Sequence, residues 1–297
     1  MRIDGRLIAE EILKDLKKKV SHLAKKNIIP HLAVVLVGTD PASLVYIKQK
    51  QKAGEEIGVK ISKFKNQNAK FKKEDLNGLV SKLNHNPNVH GIIIQRPVPL
   101  DISKEELDSL VVPHKDVDGF HTNTRFTPPI SSAVIEIIRR VFEQESSNYS
   151  RGTRDTRATR GTFKRWLLQK KILVIGRGET AGKPIANTLK NMGIKITVAH
   201  SQTNNLKKLC LTADIVVSCI GKPKIVRQDM VTNKSTIIGV GLHTENGKLQ
   251  ADYNQQQIAS KVAFYTPVPG GVGPVNVACL FENLVIAVEN LDVRSLM

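Results

Sequence analysis

The sequence predicts a two-domain α/β protein in which each domain is a parallel sheet covered by helices. Three observations carry this reading. Segments with helical apolar spacing alternate with short β-rich runs along most of the chain, the pattern of parallel sheets. A length of 297 residues suits two domains better than one or three. One β-rich run, KILVI, passes directly into a glycine-rich turn and then a helix.

In chain order, apolar spacing predicts a helix over 7–26, and the run HLAVVLV a strand over 31–37. A helix over 43–57, a strand over 59–64, a helix over 73–83 and a strand over 91–94 continue the alternation, followed by a short helix over 103–110. A turn-rich stretch, VVPHKDVDGFHTNT, ends this part. The second half repeats the theme, with strands over 172–175, 196–199, 215–219, 237–240 and 262–265. The expected domains are 1–122 and 123–275, with a last helix over 276–297 returning to the first. The stretch 143–163 differs from everything around it. It holds the tandem triplets RGT, RDT, RAT and RGT, offers no apolar face, and is expected to be a mobile surface excursion.

Composition narrows the function classes. A net charge of +18 favours anionic partners, which include nucleic acid, acidic lipid and small phosphates or carboxylates. An arginine-rich arm that binds RNA is one reading of the triplets; a tolerated loop expansion explains them equally well and is preferred, so nucleic acid is not an expected partner. Cys210, Cys219 and Cys279 are widely spaced, which indicates neither a disulfide framework nor a metal knuckle and fits a reducing cytoplasm. No metal site is expected. The charged N-terminus lacks the apolar core of a signal peptide, and no uninterrupted apolar run spans a bilayer, so no membrane is expected.

Candidate site residues fall at strand ends and loops. After KILVI comes Gly176-Arg177-Gly178-Glu179-Thr180-Ala181-Gly182, whose position between strand and helix suits a dinucleotide pyrophosphate in a Rossmann-like NAD(P)-binding domain. The next strand ends His200-Ser201 without the acidic residue that NAD sites use for ribose hydroxyls. With Arg177 and Ser201 available to a 2′-phosphate, NADP is the expected cofactor. Tyr46 and Lys50 lie one turn apart on one helical face. Gln95 ends GIIIQ, where it can bond the lysine amine, and Asp118 in KDVDG can accept from an amino-substituted heterocycle. The run TPVPGGVGP, 266–274, holds Pro267, Gly270 and Gly271 and predicts a shaped loop at a strand's carboxyl end, open to close approach by a ligand.

Seven ordered motifs make the chain resemble the bifunctional methylenetetrahydrofolate dehydrogenase and methenyltetrahydrofolate cyclohydrolase family over nearly its whole length. They are VGTDPASLVYIKQK, GIIIQRPVP, KDVDGFH, VIGRGETAGKP, TVAHSQT, ADIVVSCIGKP and TPVPGGVGP. The resemblance implies NADP-dependent oxidation of 5,10-methylenetetrahydrofolate and hydrolysis of the methenyl product to 10-formyltetrahydrofolate, within one-carbon metabolism. It implies Lys50 as the acid or base of hydrolysis, Gln95 tuning it, Tyr46 positioning folate and Asp118 anchoring the pterin. Gly176, Arg177, Gly178, Ser201 and Leu242 would contact NADP, and Pro267, Gly270 and Gly271 would line the folate cleft. A homodimer is the usual assembly. The chain departs from the family's usual pattern at Arg96, where an apolar residue is common, at Gly178, where serine is common, at Gly239 and at Val275-Asn276. The loop over 122–129 is shortened. Two alternative readings keep this fold: a cyclohydrolase with weak dehydrogenase activity, and a polyanion-binding protein.

Overall fold

The computed structural model describes residues 1–66, 68, 70–147 and 156–295. They divide into two compact units, one of residues 9–129 and 277–297, the other of residues 1–8 and 130–276.

In the first unit, helix α1 (Gly5–Lys25) leads to strand β1 (His31–Val37), helix α2 (Pro41–Ile57), strand β2 (Lys60–Asn66), helix α3 (Lys73–His85), strand β3 (Gly91–Gln95) and helix α4 (Lys104–Ser109). The start of α2 is fixed locally, because the Asp40 carboxylate accepts from Ser43 N at 2.7 Å and Pro41 occupies the first turn. Gly58, in the left-handed region at φ 83°, ends it. The three strands are parallel in the order β2-β1-β3. β1 is buried throughout and sorts its side chains with period two. Leu32, Val34 and Leu36 join one core with α1 and the chain's last helix, Val272–Ser295; Ala33, Val35 and Val37 join another beneath α3. Phe281 and Leu284 of that last helix are fully buried in the first core.

In the second unit, helices α5 (Pro129–Ser147) and α6 (Thr156–Leu168) precede strand β4 (Ile172–Ile175), helix α7 (Gly182–Asn191), strand β5 (Ile196–Ala199) and helix α8 (Leu206–Thr212). Strands β6 (Ile215–Ser218), β7 (Thr236–Gly239), β8 (Leu242–Glu245) and β9 (Lys248–Ala251) follow, then helix α9 (Gln255–Ala259) and strand β10 (Phe264–Tyr265). The main sheet is parallel, in the order β10-β7-β6-β4-β5. β8 and β9 form a separate antiparallel hairpin, turned by Asn246 and Gly247 at φ 50° and 72°.

Two expectations need correction. The stretch 143–163 is helical at both ends, and its centre, 148–155, lies outside the described residues. Phe142 of α5 meets Phe163 and Trp166 of α6 with ring centroids 5.4–5.6 Å apart, so α6 has the apolar face that the triplets conceal. The run 266–274 is not loop throughout, since the last helix begins at Val272. Pro274 is accommodated in its first turn, where backbone N–H groups have no intrahelical acceptor. Residues 272–291 also have the length and mean hydropathy, 1.4, of a membrane span, but 67% of that stretch is buried inside the protein, as in a core helix.

Candidate active site

In a parallel sheet, ligand sites lie beyond the carboxyl ends of the strands, where neighbouring strands send their connections to opposite sides. β1 stands between β2 and β3, so the first unit has such a point between β1 and β3. Gln95 is the last residue of β3. Its Oε1 accepts a hydrogen bond from Lys50 Nζ at 2.9 Å, while its Nε2 donates to Arg96 O at 3.1 Å. The second bond fixes which end of the amide faces the lysine.

Lys50 is 8% exposed, and burial pulls its pKa below the ordinary lysine value, with Asp118 opposing the shift. Asp118 is pushed upward by burial, against the pull of Lys50 and Arg96. The two groups are therefore electrostatically joined in surroundings of low polarity. Tyr46, one turn before Lys50 on α2, is partly buried, and burial raises its phenol pKa.

The turn that carries Asp118 is built by Asp116. Its carboxylate accepts from His121 N at 2.8 Å and Gly119 N at 3.1 Å, and burial drives its pKa up to about 6. Asn283 holds the same turn from the last helix, donating to Val117 O and Thr127 O at 2.9 Å each.

The second unit has its own switch point at β4, which lies between β5 and β6. Gly176 follows β4 directly, at φ 109°, and its N donates to Ala199 O at 2.8 Å, tying the turn to the end of β5. A Cβ on Gly182, the first residue of α7, would lie 2.2 Å from Gly176 O, so only glycine allows the helix to start this close to the strand. A Cβ on Gly178 would meet nothing within 4 Å, and Arg177 and Ser201 are exposed beside this end of the sheet. Two cationic or hydroxyl donors, an open backbone and a helix N-terminus suit the phosphates of a dinucleotide. Leu242 opens β8, and its carbonyl would lie 2.9 Å from a Cβ on Gly221.

Asp252, which sequence reasoning missed, organises that edge. It is fully buried and accepts from Ser218 Oγ at 2.6 Å, Ile220 N at 2.9 Å, Gly221 N at 2.8 Å and Lys222 N at 3.0 Å. Pro267, Gly270 and Gly271 are buried in the second unit. Thr266 Oγ1 accepts from Gly239 N at 2.9 Å, and Gly270 O accepts from Gly5 N at 2.8 Å, so both ends of this short run are fixed. A recess lined by Ile172, Lys195 and Ala213 opens at the amino ends of β4, β5 and β6, away from the glycine turn and its chemistry.

Fold and site together define a two-domain α/β enzyme of the dinucleotide-binding class. The tetrahydrofolate dehydrogenase/cyclohydrolase catalytic-domain model matches residues 3–118, and the NAD(P)-binding-domain model of the same family matches residues 162–292. The chain belongs to that family. It is 35% identical to the bifunctional protein FolD of Campylobacter hominis over 298 residues, 97% of each chain. The FolD protein of Lacticaseibacillus casei is also 35% identical, over 96% of each chain. Among solved structures, the FolD methylenetetrahydrofolate dehydrogenase/cyclohydrolase of Campylobacter jejuni superposes with a TM-score of 0.85 at 32% identity, covering 98% of this chain and 99% of that one. The Trypanosoma brucei enzyme, complexed with NADP cofactor and inhibitor, gives a TM-score of 0.82 at 29% identity, covering 99% and 98%.

Proposed function

We propose that the protein oxidises 5,10-methylenetetrahydrofolate with NADP and hydrolyses the methenyl product to 10-formyltetrahydrofolate. The observation that carries this reading is the Lys50–Gln95 hydrogen bond, 2.9 Å long, around a buried amine electrostatically joined to Asp118. Hydrolysis adds water to an electrophilic methenyl carbon, opens one carbon–nitrogen bond and releases a proton. A lysine whose pKa is lowered by burial gives up and takes back a proton more readily than an ordinary lysine. Gln95 holds the amine in place through its carbonyl, which favours the N–H-bearing amine at one fixed position. Asp118, as a carboxylate, accepts hydrogen bonds from the amino heterocycle of the folate, and Tyr46 positions the folate beside Lys50.

For the oxidation, the nicotinamide of a bound NADP supplies the hydride acceptor. The chain's own part is binding and orientation. Gly176, Arg177, Gly178, Ser201 and Leu242 hold the dinucleotide, with Arg177 and Ser201 selecting the 2′-phosphate. Pro267, Gly270 and Gly271 belong to the folate-binding surface in the same reading. So do assembly as a homodimer and a cytoplasmic setting; three free cysteines suit a reducing compartment.

The test supplies methylenetetrahydrofolate with NADP or NAD in separate reactions and follows reduced nicotinamide together with the methenyl chromophore. Reduction of NADP with transient methenyl absorbance is expected. A preference for NAD would remove the role given to Arg177 and Ser201, and a methenyl signal that persists at its non-enzymatic rate would remove hydrolysis.

A further inference from the structure

One more charged side chain reaches the Lys50–Asp118 site. Arg96 directly follows Gln95, and its guanidinium carbon lies 4.3 Å from the centroid of the Phe120 ring, in the turn that carries Asp118. On its other side the guanidinium pairs with Asp108 of α4, which Lys104 also grips from one turn earlier. The Arg96 and Asp108 side chains are 14% and 5% exposed. Arg96 Nε is buried with no hydrogen-bond partner, so the group is not held there by a full set of hydrogen bonds.

Two cations on one carboxylate leave positive charge unmatched. Lys104 also pairs with Asp108, and the Arg96 charge acts on Asp118 in the turn that its guanidinium covers, favouring the carboxylate. We propose that Arg96 is a positioning residue for the folate reaction: it braces the Asp118 turn through Phe120 and supplies the positive charge that lets Asp118 meet the substrate as an anion. This rests on the reading that Asp118 anchors folate. The groups facing Asp118 are Lys50 from α2, Arg96 from the end of β3, and Asp116 on its own turn. Lys50 and Arg96 favour the carboxylate, whereas Asp116 opposes it.

The experiment uses the full chain with Arg96→Met and Arg96→Lys. Two readouts are taken across the whole pH range in which the protein stays folded: steady-state hydrolysis of methenyltetrahydrofolate, and 13C NMR titration of the Asp118 carboxyl, assigned by its loss in Asp118→Asn. In Arg96→Met the Asp118 titration should move up by about one pH unit, within the range that a nearby opposite charge produces. KM should rise roughly tenfold on the acid side of the profile, the equivalent of one unit, while kcat falls less than KM rises. Arg96→Lys should restore most of the shift. An Asp118 titration that is the same in wild type and Arg96→Met overturns the proposal. So do KM and kcat changes that are equal at every pH and not rescued by lysine, the signature of a structural strut. Absence of folate turnover in the wild type would instead overturn the assigned function, and the NMR titration would still judge Arg96.

Discussion

Lys50→Met isolates the chemistry of one amine. Methionine matches the length of the lysine stem and is apolar, so it fills a site in which the wild-type side chain is 8% exposed. Taking one partner out of a buried, electrostatically joined pair leaves the other charge uncompensated, a loss of about 3–5 kcal/mol. Gln95 Oε1 also loses its 2.9 Å donor. Asp118 offsets part of this by taking up a proton, so the variant should unfold about 3 kcal/mol more easily than wild type and remain folded. Catalysis should not survive so well. A positioned general acid or base contributes about 10²–10⁴-fold, equivalent to roughly 3–5 kcal/mol of barrier. Decay of the methenyl chromophore should slow by that factor, whereas nicotinamide reduction from the methylene substrate should stay measurable. In wild type the pH limb of hydrolysis should lie below the ordinary lysine value of 10.5, because burial favours the neutral amine. Hydrolysis slowed less than about tenfold, in a variant that remains folded, would refute the role of Lys50. A limb at the ordinary lysine value would refute the desolvation argument.

Three further outcomes are expected. Asp116 has a pKa of about 6 when folded against 3.8 when unfolded, so the native state holds the proton more tightly. This contribution to stability is complete below about pH 4, is lost as pH rises through 6, and amounts to about 3 kcal/mol. Urea unfolding of Asp116→Asn between pH 4 and 7 should lack that dependence; parallel profiles for the two proteins would exclude it. Asp252→Ala removes the fully buried acceptor of four donors, of which Ser218 Oγ is buried, the Ile220 and Gly221 amides half-buried and Lys222 exposed, and should lower unfolding free energy by about 2–3 kcal/mol. A denaturant-measured loss under about 1 kcal/mol would contradict this. Gly178→Ser enters open space, so stability should stay within about 0.5 kcal/mol. Its hydroxyl adds a donor beside the dinucleotide phosphates and should lower the KM for NADP severalfold, and an unchanged or higher KM would place the phosphates elsewhere.

Strands were legible wherever an apolar run was bounded on both sides: β1, β4 and β5 occupy the predicted residues. The Asn246-Gly247 hairpin carries a plain turn signal, but its flanking strands, LHTE and KLQA, are too short and polar to stand out among apolar runs. α6 is hidden for a different reason. Its arginines and threonines repeat every three residues and mask Phe163, Trp166 and Leu167, which share a helical face. Proximity in sequence places residues 1–8 with the first domain, whereas in the fold Ile3 N donates to Tyr265 O at 2.8 Å, far along the chain. Within the site, Lys50 and Gln95 could be paired by reasoning because helical periodicity and a strand end set their directions. Arg96 with Asp108 could not, since Asp108 lies on a short helix whose buried face has too few residues to show a period.

The first unit draws part of its core from the far end of the chain, and this sets an order of events during synthesis. Val277, Leu280, Phe281, Leu284 and Val285 pack against residues made before position 129, with residues 130–276, all of the second unit but its first eight residues, encoded between them. At about 5–20 residues per second, translation of that interval takes roughly 7–30 s. Throughout it, the emerging sheet β2-β1-β3 shows an unfinished apolar face to the cell. The second unit has its sequence complete first, and a ribosome stalled beyond its end but short of the last helix would display an incomplete first unit to chaperones.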